Sequence, residues 1–413
     1  MLALAALTRA EQLPVRTYTT ADGLVYDQVE KIMQDSHGFI WLCTVDGLSR
    51  FDGYRFTNYG VKDGLPVARV NEMIETHDGV YWVATNGGGV SRFEPAEDAR
   101  RVAEVRAGAE ANADAGRVFK TYPIGDAAQS NIVETIFEDR AGNVWAGTQG
   151  GLFRLAGGRE GGAFERVKLN IPAHEELVAN VHSIVEDAEG SIWAGTLYGM
   201  VRIMPDGRTI HQYVQDSQGT DIVWTLALDR QGRLWIGHQS GLLVVSPEPA
   251  ARLAGIASAL LWRVVGNAPN SEDGRLLLPA VPGEARWYTT ADGLGGNSVQ
   301  AIRQFADGRV WIGSRGGGVS VFDGGRFRVH AAAHGLANRV NALAEDRDGH
   351  DSPVREPLAT IAGTSREMVD SMSDIVWAIN PKRDRLSDLA QRMRLFASDI
   401  LSCLLYTSPS PRD

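Results

Sequence analysis

Few side chains of this chain are spaced for chemistry. His77, His174, His182, His211, His238, His330 and His334 show no metal-ligand spacing, and His174-Glu175-Glu176 lacks the second histidine of a metalloprotease helix. They read as solvated loop histidines, so no metal and no cofactor is expected. Asp stands three residues before Gly in Asp35–Gly38, Asp139–Gly142, Asp187–Gly190 and Asp229–Gly232. Such loops are too short to wrap a calcium ion, and an Asp closing the turn through its own backbone is expected instead. The glycine runs 86–89 and 315–318 lie between strands with no helix following, so they are turns and not phosphate cradles. No Gly-x-Ser-x-Gly element and no Ser/His/Asp constellation stands out, and no catalytic residue is expected.

What remains is a set of hydrogen-bonding side chains at recurring places. Asp27, Asn131, Asp221, Asn297 and Asn338 each stand two residues before a recurring Val. Thr44, Thr85, Thr148, Thr196, His238 and Ser314 each stand three residues after a recurring Trp. Gathered at one mouth of a ring, these groups suit a small polar ligand such as a glycan fragment or a peptide. The competing reading is that they satisfy backbone groups at strand ends. The departures are the better candidates: His238 replaces Thr, and Trp224 sits one residue after Val223. The candidate ligand-binding residues are therefore Asn131, Thr148, Thr196, Asp221, Trp224, His238, Asn297 and Ser314.

The elements that would position them form a repeat. Around Trp41, Trp82, Trp145, Trp193, Trp235 and Trp311, a Gly stands three residues before and another six after. A Val stands twelve before and Ile, Met or Leu nine before. A seventh copy starts at Val340, Leu343 and Gly349, but Ser352 stands where its Trp is due. Self-similarity at about 40 residues marks a propeller or solenoid. Apolar and β-branched runs between Gly and Asp clusters are strand and hairpin chemistry, four short strands to a unit. The fold class expected is thus all-β, a β-propeller of about seven four-stranded blades with the last truncated. The six framework Trp residues are expected to be structural, filling the space between blades.

The flanks differ in character. Residues 1–10 read as the remnant of a signal peptide, and 11–350 as the propeller, with insertions at 96–117 and 247–284. The stretch 351–402 reads as a helical fragment, with one amphipathic helix over 357–380 and a second over 386–401. The last eleven residues, CLLYTSPSPRD, resemble a translated sequencing adapter. A net charge of −10 argues against nucleic acid as the main partner. Cys43 and Cys403 give no disulfide framework. No run of 18 apolar residues is present to span a membrane.

Spelled out in this way, the repeat resembles the two-component regulator propeller family. The resemblance rests on the boxes Asp22-Gly23-Leu24, Asp63-Gly64-Leu65 and Asp292-Gly293-Leu294 and on blade cores such as 138–155 and 229–243. The stretch SREMVDSMSDIVWAINPKRDRLSDLAQRMRLFASDIL resembles the dimerisation region of sensor histidine kinases that carry such propellers. The resemblance implies an extracytoplasmic propeller that senses a ligand and relays through a membrane helix to a cytoplasmic kinase. A response regulator and a second copy would then be partners of the full-length protein. This chain departs from the family pattern: the β-sandwich, the membrane helix, the phosphoacceptor helix and the ATP lobe are not in it. His350-Asp351 lies in a blade turn ahead of Pro353 and is a decoy for the phosphoacceptor. A lectin-like propeller and a propeller lyase or hydrolase are the competing functions, and the helical tail favours the sensor. Incubation with labelled ATP is therefore expected to leave the chain unlabelled; acid-labile phosphate on a histidine would overturn this.

Overall fold

Each blade starts from a turn that only glycine fits well. Gly38, Gly79, Gly142, Gly190, Gly232 and Gly308 take φ between 75° and 86°, the left-handed region that L-residues rarely enter. Each turn joins an inner strand to the strand carrying the framework Trp, and two further antiparallel strands follow. In blade one these are Val29–Gln34, Ile40–Thr44, Gly47–Phe51 and Phe56–Tyr59. The computed structural model describes residues 16–95, 98, 117–158, 162–171, 180–212, 222–246, 285–330, 339–346, 360–361 and 374–379. Within these, six four-stranded sheets follow one another in chain order, and helix is limited to short 3-10 turns and the helical positions Pro95 and Asp98. No helix among the described residues is long and apolar enough to cross a membrane.

The inner strands stand side by side around the channel: Val29–Gln34, Val70–Glu75, Val133–Glu138, Val181–Glu186, Val223–Leu228 and Ser298–Gln304. Val340–Asp346 packs against both the last and the first of them and fills the remaining gap. Its Val340 and Leu343 join the core of blade six, and its Ala342 and Ala344 that of blade one.

The expectation of about seven four-stranded blades is corrected here. Six are complete, and the seventh position holds a three-stranded sheet in which Val340–Asp346 pairs parallel with Asp374–Ile379. The expected helix over 357–380 is corrected too, since Thr360–Ile361 and Asp374–Ile379 are strands. The run Ile375-Val376-Trp377 is β-branched and aromatic, and an open sheet edge draws such a run into strand despite its helical spacing of apolar residues. The expected segments 1–10, 386–401 and 403–413, and nearly all of the insertions 96–117 and 247–284, lie outside the described residues.

The six framework Trp residues are buried, none more than 5% exposed, and each packs against the following blade. Trp145, for example, clusters with Val181, Ile184 and Ile192 of blade four. Four of the indoles are also pinned by the Asp six residues earlier. Asp35, Asp139, Asp187 and Asp229 accept from Trp41, Trp145, Trp193 and Trp235 Nε1 at 2.7–2.8 Å. The same carboxylate closes the turn, as Asp139 Oδ1 accepts from Ala141 N and Asn143 N. Blades two and six carry Thr76 and Phe305 at that place, and there Trp82 and Trp311 Nε1 are buried without a partner. Close approach is secured by the small residue two after each Trp. A Cβ on Gly195 would stand 2.7 Å from Val223 Cγ1 of the next blade.

At the end of the channel beside these turns, side chains at the ends of the inner strands join neighbouring blades. Ser36, His77 and Arg140 N–H donate to Glu75, Glu138 and Glu186 at 2.6–2.8 Å. Arg230 N–H donates to Gln304 and Ala306 N–H to Glu345, both at 2.8 Å. Each acceptor stands seven residues before its blade's Trp position, and in blade five Leu228 takes that place. Glu345 thereby ties the seventh position to blade six.

The sequence YTTADGL occurs twice, and both copies take one pose. Thr19 and Thr289 cap matching 3-10 turns, and Asp27 and Asn297 accept from Thr20 and Thr290 N–H at 2.6 and 2.8 Å. Arg16 lies over the Tyr18 ring at 4.5 Å as Arg286 lies over Tyr288 at 4.7 Å. Tyr18 meets Phe51 and Phe56 of blade one as Tyr288 meets Phe322 and Phe327 of blade six.

Trp145→Ala is expected to destabilise the propeller by about 3–5 kcal/mol in a denaturant titration, the usual cost of a large core truncation. Trp145→Phe should cost about 1.5 kcal/mol or more beyond Trp82→Phe, because only Trp145 bonds a carboxylate. Equal costs would show that the Asp–indole bond contributes nothing.

Candidate functional site at the channel mouth

The expected polar ring is present but turned inward. Thr148, Thr196, His238 and Ser314 are 0% exposed. Thr148 Oγ1 donates to Gly151 O at 2.9 Å and accepts from Gly150 N. Thr196 Oγ1 donates to Gly199 O at 3.0 Å, and Ser314 Oγ to Gly318 O at 3.2 Å. His238 does the work of the threonines, with Nδ1 accepting from Ser240 N at 3.2 Å and its ring 5.2 Å from that of Trp287. Asn131 holds its own loop, accepting from Ile124 N and donating to Gly125 O, and Asn297 accepts from Thr290 N. Each of these side chains secures the turn it belongs to. Asp221 and Asn338 lie outside the described residues.

Trp224 belongs to a different set, one that repeat spacing alone did not reveal. In all six blades the framework Val and the residue two further on pair with consecutive residues of the Trp strand, so one residue between them is extra. Such a bulge re-aims its side chain and frees it from the pleat. The bulged residues are Glu30, Asn71, Glu134, His182, Trp224 and Gln300, with Asn341 at the matching place in the seventh strand. All stand at the end of the channel shared by the turns after the Trp strands. Five residue types occur at these seven places, Glu and Asn twice each, while the Val before them does not change. That contrast was the available signal. It also corrects the reading of His182 as a solvated loop histidine, since it sits on an inner strand.

Glu30 and Glu72 at this mouth are ion-paired. Arg69 Nη2 donates to Glu30 Oε1 at 3.0 Å and Lys31 Nζ lies 3.3 Å from Glu72 Oε1. Thr135 Oγ1 and Ile136 N–H also donate to Glu72, at 2.6 and 3.0 Å. Asn71 Nδ2 donates to Val133 O at 2.8 Å, and Gln149 Nε2 to Glu134 at 2.9 Å. Arg339 Nε donates to Asn341 at 3.0 Å. On the side of blades four and five, Trp224 Nε1 donates to Gln239 at 2.7 Å, and its ring centroid lies 4.7 Å from that of His182. The His182 Nε2 and Asn180 Oδ1 atoms are buried with no hydrogen-bond partner. Burial, with a smaller contribution from the Lys31 ammonium of blade one, pulls the His182 imidazole down to about 4.

The donor set that could hold a cation lies at the opposite end. His77, Asp78 and Glu138 bring one ligand atom each within 4.8 Å of one another. His77 Nδ1 and N–H both meet Glu138, which raises the His77 pKa, and Asp78 accepts from Thr76. These bonds are the blade-two copy of the interblade tie, and they account for the cluster without an ion.

His182 titrates lower folded than unfolded, so the unfolded chain binds more protons between about pH 4 and 6.5. Stability should therefore fall as pH drops through that window, and His182→Gln should flatten the fall. An NMR titration placing the His182 midpoint near 6.5 would contradict this.

The two-component regulator propeller family matches at residues 128–150 and 217–240, each stretch ending in the turn after the Trp strand of a blade. No curated protein matches the chain in sequence. Among solved structures it is similar to the extracellular domain assigned to a hybrid two-component system of B. thetaiotaomicron, at 17% identity and a TM-score of 0.53. That match covers 76% of this chain but only 35% of the neighbour, so the chain spans about a third of that neighbour's length. It is also similar to a catalytically inactive virginiamycin B lyase from Staphylococcus aureus with quinupristin, at 11% identity and a TM-score of 0.53, covering 84% and 91% of the two chains. A third neighbour is PorZ of Porphyromonas gingivalis, at 13% identity and a TM-score of 0.51, covering 78% and 44%. At such identities these likenesses speak for the fold alone. Two of the repeated units, with their Val, Gly and Trp framework, thus match the two-component regulator propeller family.

Proposed function

We propose that this propeller is the ligand-binding input part of a two-component sensor and takes a small polar ligand, a glycan fragment or a peptide, at the channel mouth. The observation that carries the reading is the ring of bulged residues: each blade contributes one side chain displaced from the strand's alternation, and carboxylate, amide, imidazole and indole are all represented. The family of the repeats supports the sensor role. In the full-length protein the propeller would lie outside the cytoplasm, and a kinase, its dimer partner and a response regulator would follow from the same reading. Small ligands occupy sites with a few convergent polar groups, and the polar bulged residues at one end of the channel support that reading.

Ligand binding stabilises a folded state by mass action, by about 2.7 kcal/mol at a hundredfold excess over the dissociation constant. A thermal-shift screen of oligosaccharides and short peptides should give hits whose shift is lost when Glu30, Trp224 and Asn341 are replaced together by Ala. Thr148→Ala and Ser314→Ala should lower the midpoint but leave the ligand-induced shift in place. A hit converted to product by the protein would favour an enzyme over a sensor.

A further inference from the structure

The seam between blades four and five is the one stretch of the mouth where described polar atoms are left unsatisfied. Elsewhere the bulged residues are hydrogen-bonded: Glu30 to Arg69, Asn71 to Val133 O, Glu134 to Gln149, Gln300 to Ser298 and Asn341 to Arg339. Asn180 Oδ1 and His182 Nε2 are buried and have none, one just before and one just after framework Val181, which opens the inner strand. A buried polar atom without a partner costs about 1–3 kcal/mol, and such atoms in native proteins call for an explanation. Beside them stands Trp224, half-buried, its indole N–H committed to Gln239 and its ring packed on that of His182. An aromatic face next to an unsatisfied acceptor and an imidazole nitrogen is a stacking platform with two polar anchors.

We propose that Asn180, His182 and Trp224 form a subsite for one uncharged, hydroxyl-bearing ring, a neutral sugar residue. This rests on the sensor reading above and narrows it. The ring would lie on Trp224, with its C–H face against the indole. One hydroxyl would donate to Asn180 Oδ1, and another would bond His182 Nε2, which a hydroxyl can do as donor or acceptor. The charge argument selects neutrality. His182 stays unprotonated near pH 7 and Lys31 disfavours a second cation beside it, while Glu30, Glu72 and Glu134 on the adjoining wall disfavour an anion. Glu30 and Glu72 are already paired with Arg69 and Lys31, and Glu134 accepts from the neutral Gln149 amide.

The test uses glucose, galactose and mannose and their short oligomers, with glucuronate, glucosamine and aromatic dipeptides as comparison probes. The imidazole resonances of His182, assigned by their loss in His182→Gln, report occupancy. At least one neutral sugar should shift them in a saturable way, and its affinity should fall tenfold or more in Trp224→Ala and in His182→Gln. Trp224→Phe, which keeps a ring and spares the fold, should bind in between. The proposal is overturned if only glucuronate, glucosamine or a dipeptide moves His182, or if no sugar does, which would leave ordered water as the partner of these atoms. Sugar binding that survives both variants overturns the subsite while the sensor reading stands. A protein that answers no ligand in the wider screen of oligosaccharides and peptides overturns the sensor reading as well.

Discussion

The ring depends on one packing problem, the wedge-shaped space between neighbouring twisted sheets. Indole fills that wedge six times, and the rest of the framework serves the indole. A small residue two positions on lets the next inner strand come close, and a left-handed Gly reverses the chain just before the Trp strand. In four blades a buried carboxylate spans both demands, closing the turn with one oxygen and holding the indole N–H with the other. Blades two and six keep the indole after losing the carboxylate, so packing is the stronger of the two requirements.

Because the framework consumes so many positions, little is left for function. The threonines after the Trp strand are bound to their turns, and Asp27, Asn131 and Asn297 before the inner strands are bound to the loops beside them. The bulge is the exception. An extra residue breaks the alternation of faces and lifts its side chain out of the sheet core. Two of these side chains still serve the ring, since Asn71 donates to Val133 O and Asn341 to Val29 O of the neighbouring inner strand, and variation is freest at the others.

Much of the fold was legible in the sequence, because a repeat displays its own invariants. Trp, Gly and Val at fixed intervals fixed the blade and placed the turns, and the Asp residues closed turns as their short loops required. The site was legible only at Trp224. Threonine and histidine three residues after Trp are polar on paper but buried in three dimensions, and sequence does not say whether a hydroxyl faces a ligand or its own turn. His238 stood out as a departure and proved to be a substitute. His182 did not stand out, because a bulge changes where a residue points without changing its spacing. The segment 374–379 misled for another reason. Its apolar residues sit at helical intervals, but strand or helix was decided there by the open edge of Val340–Asp346.

The twin YTTADGL segments have a consequence for how the chain assembles. Both present the same Tyr, capped turn and Leu to grooves lined by the same pair of phenylalanines, in blade one and in blade six. The second copy is also a sheet member, since Ala285–Tyr288 is the fourth strand of blade five and pairs with Leu242–Val245. Its Tyr288 therefore belongs to one blade by hydrogen bonds and to the next by ring contacts. The segment acts as a clasp that fastens the outer strand of blade five onto the groove of blade six.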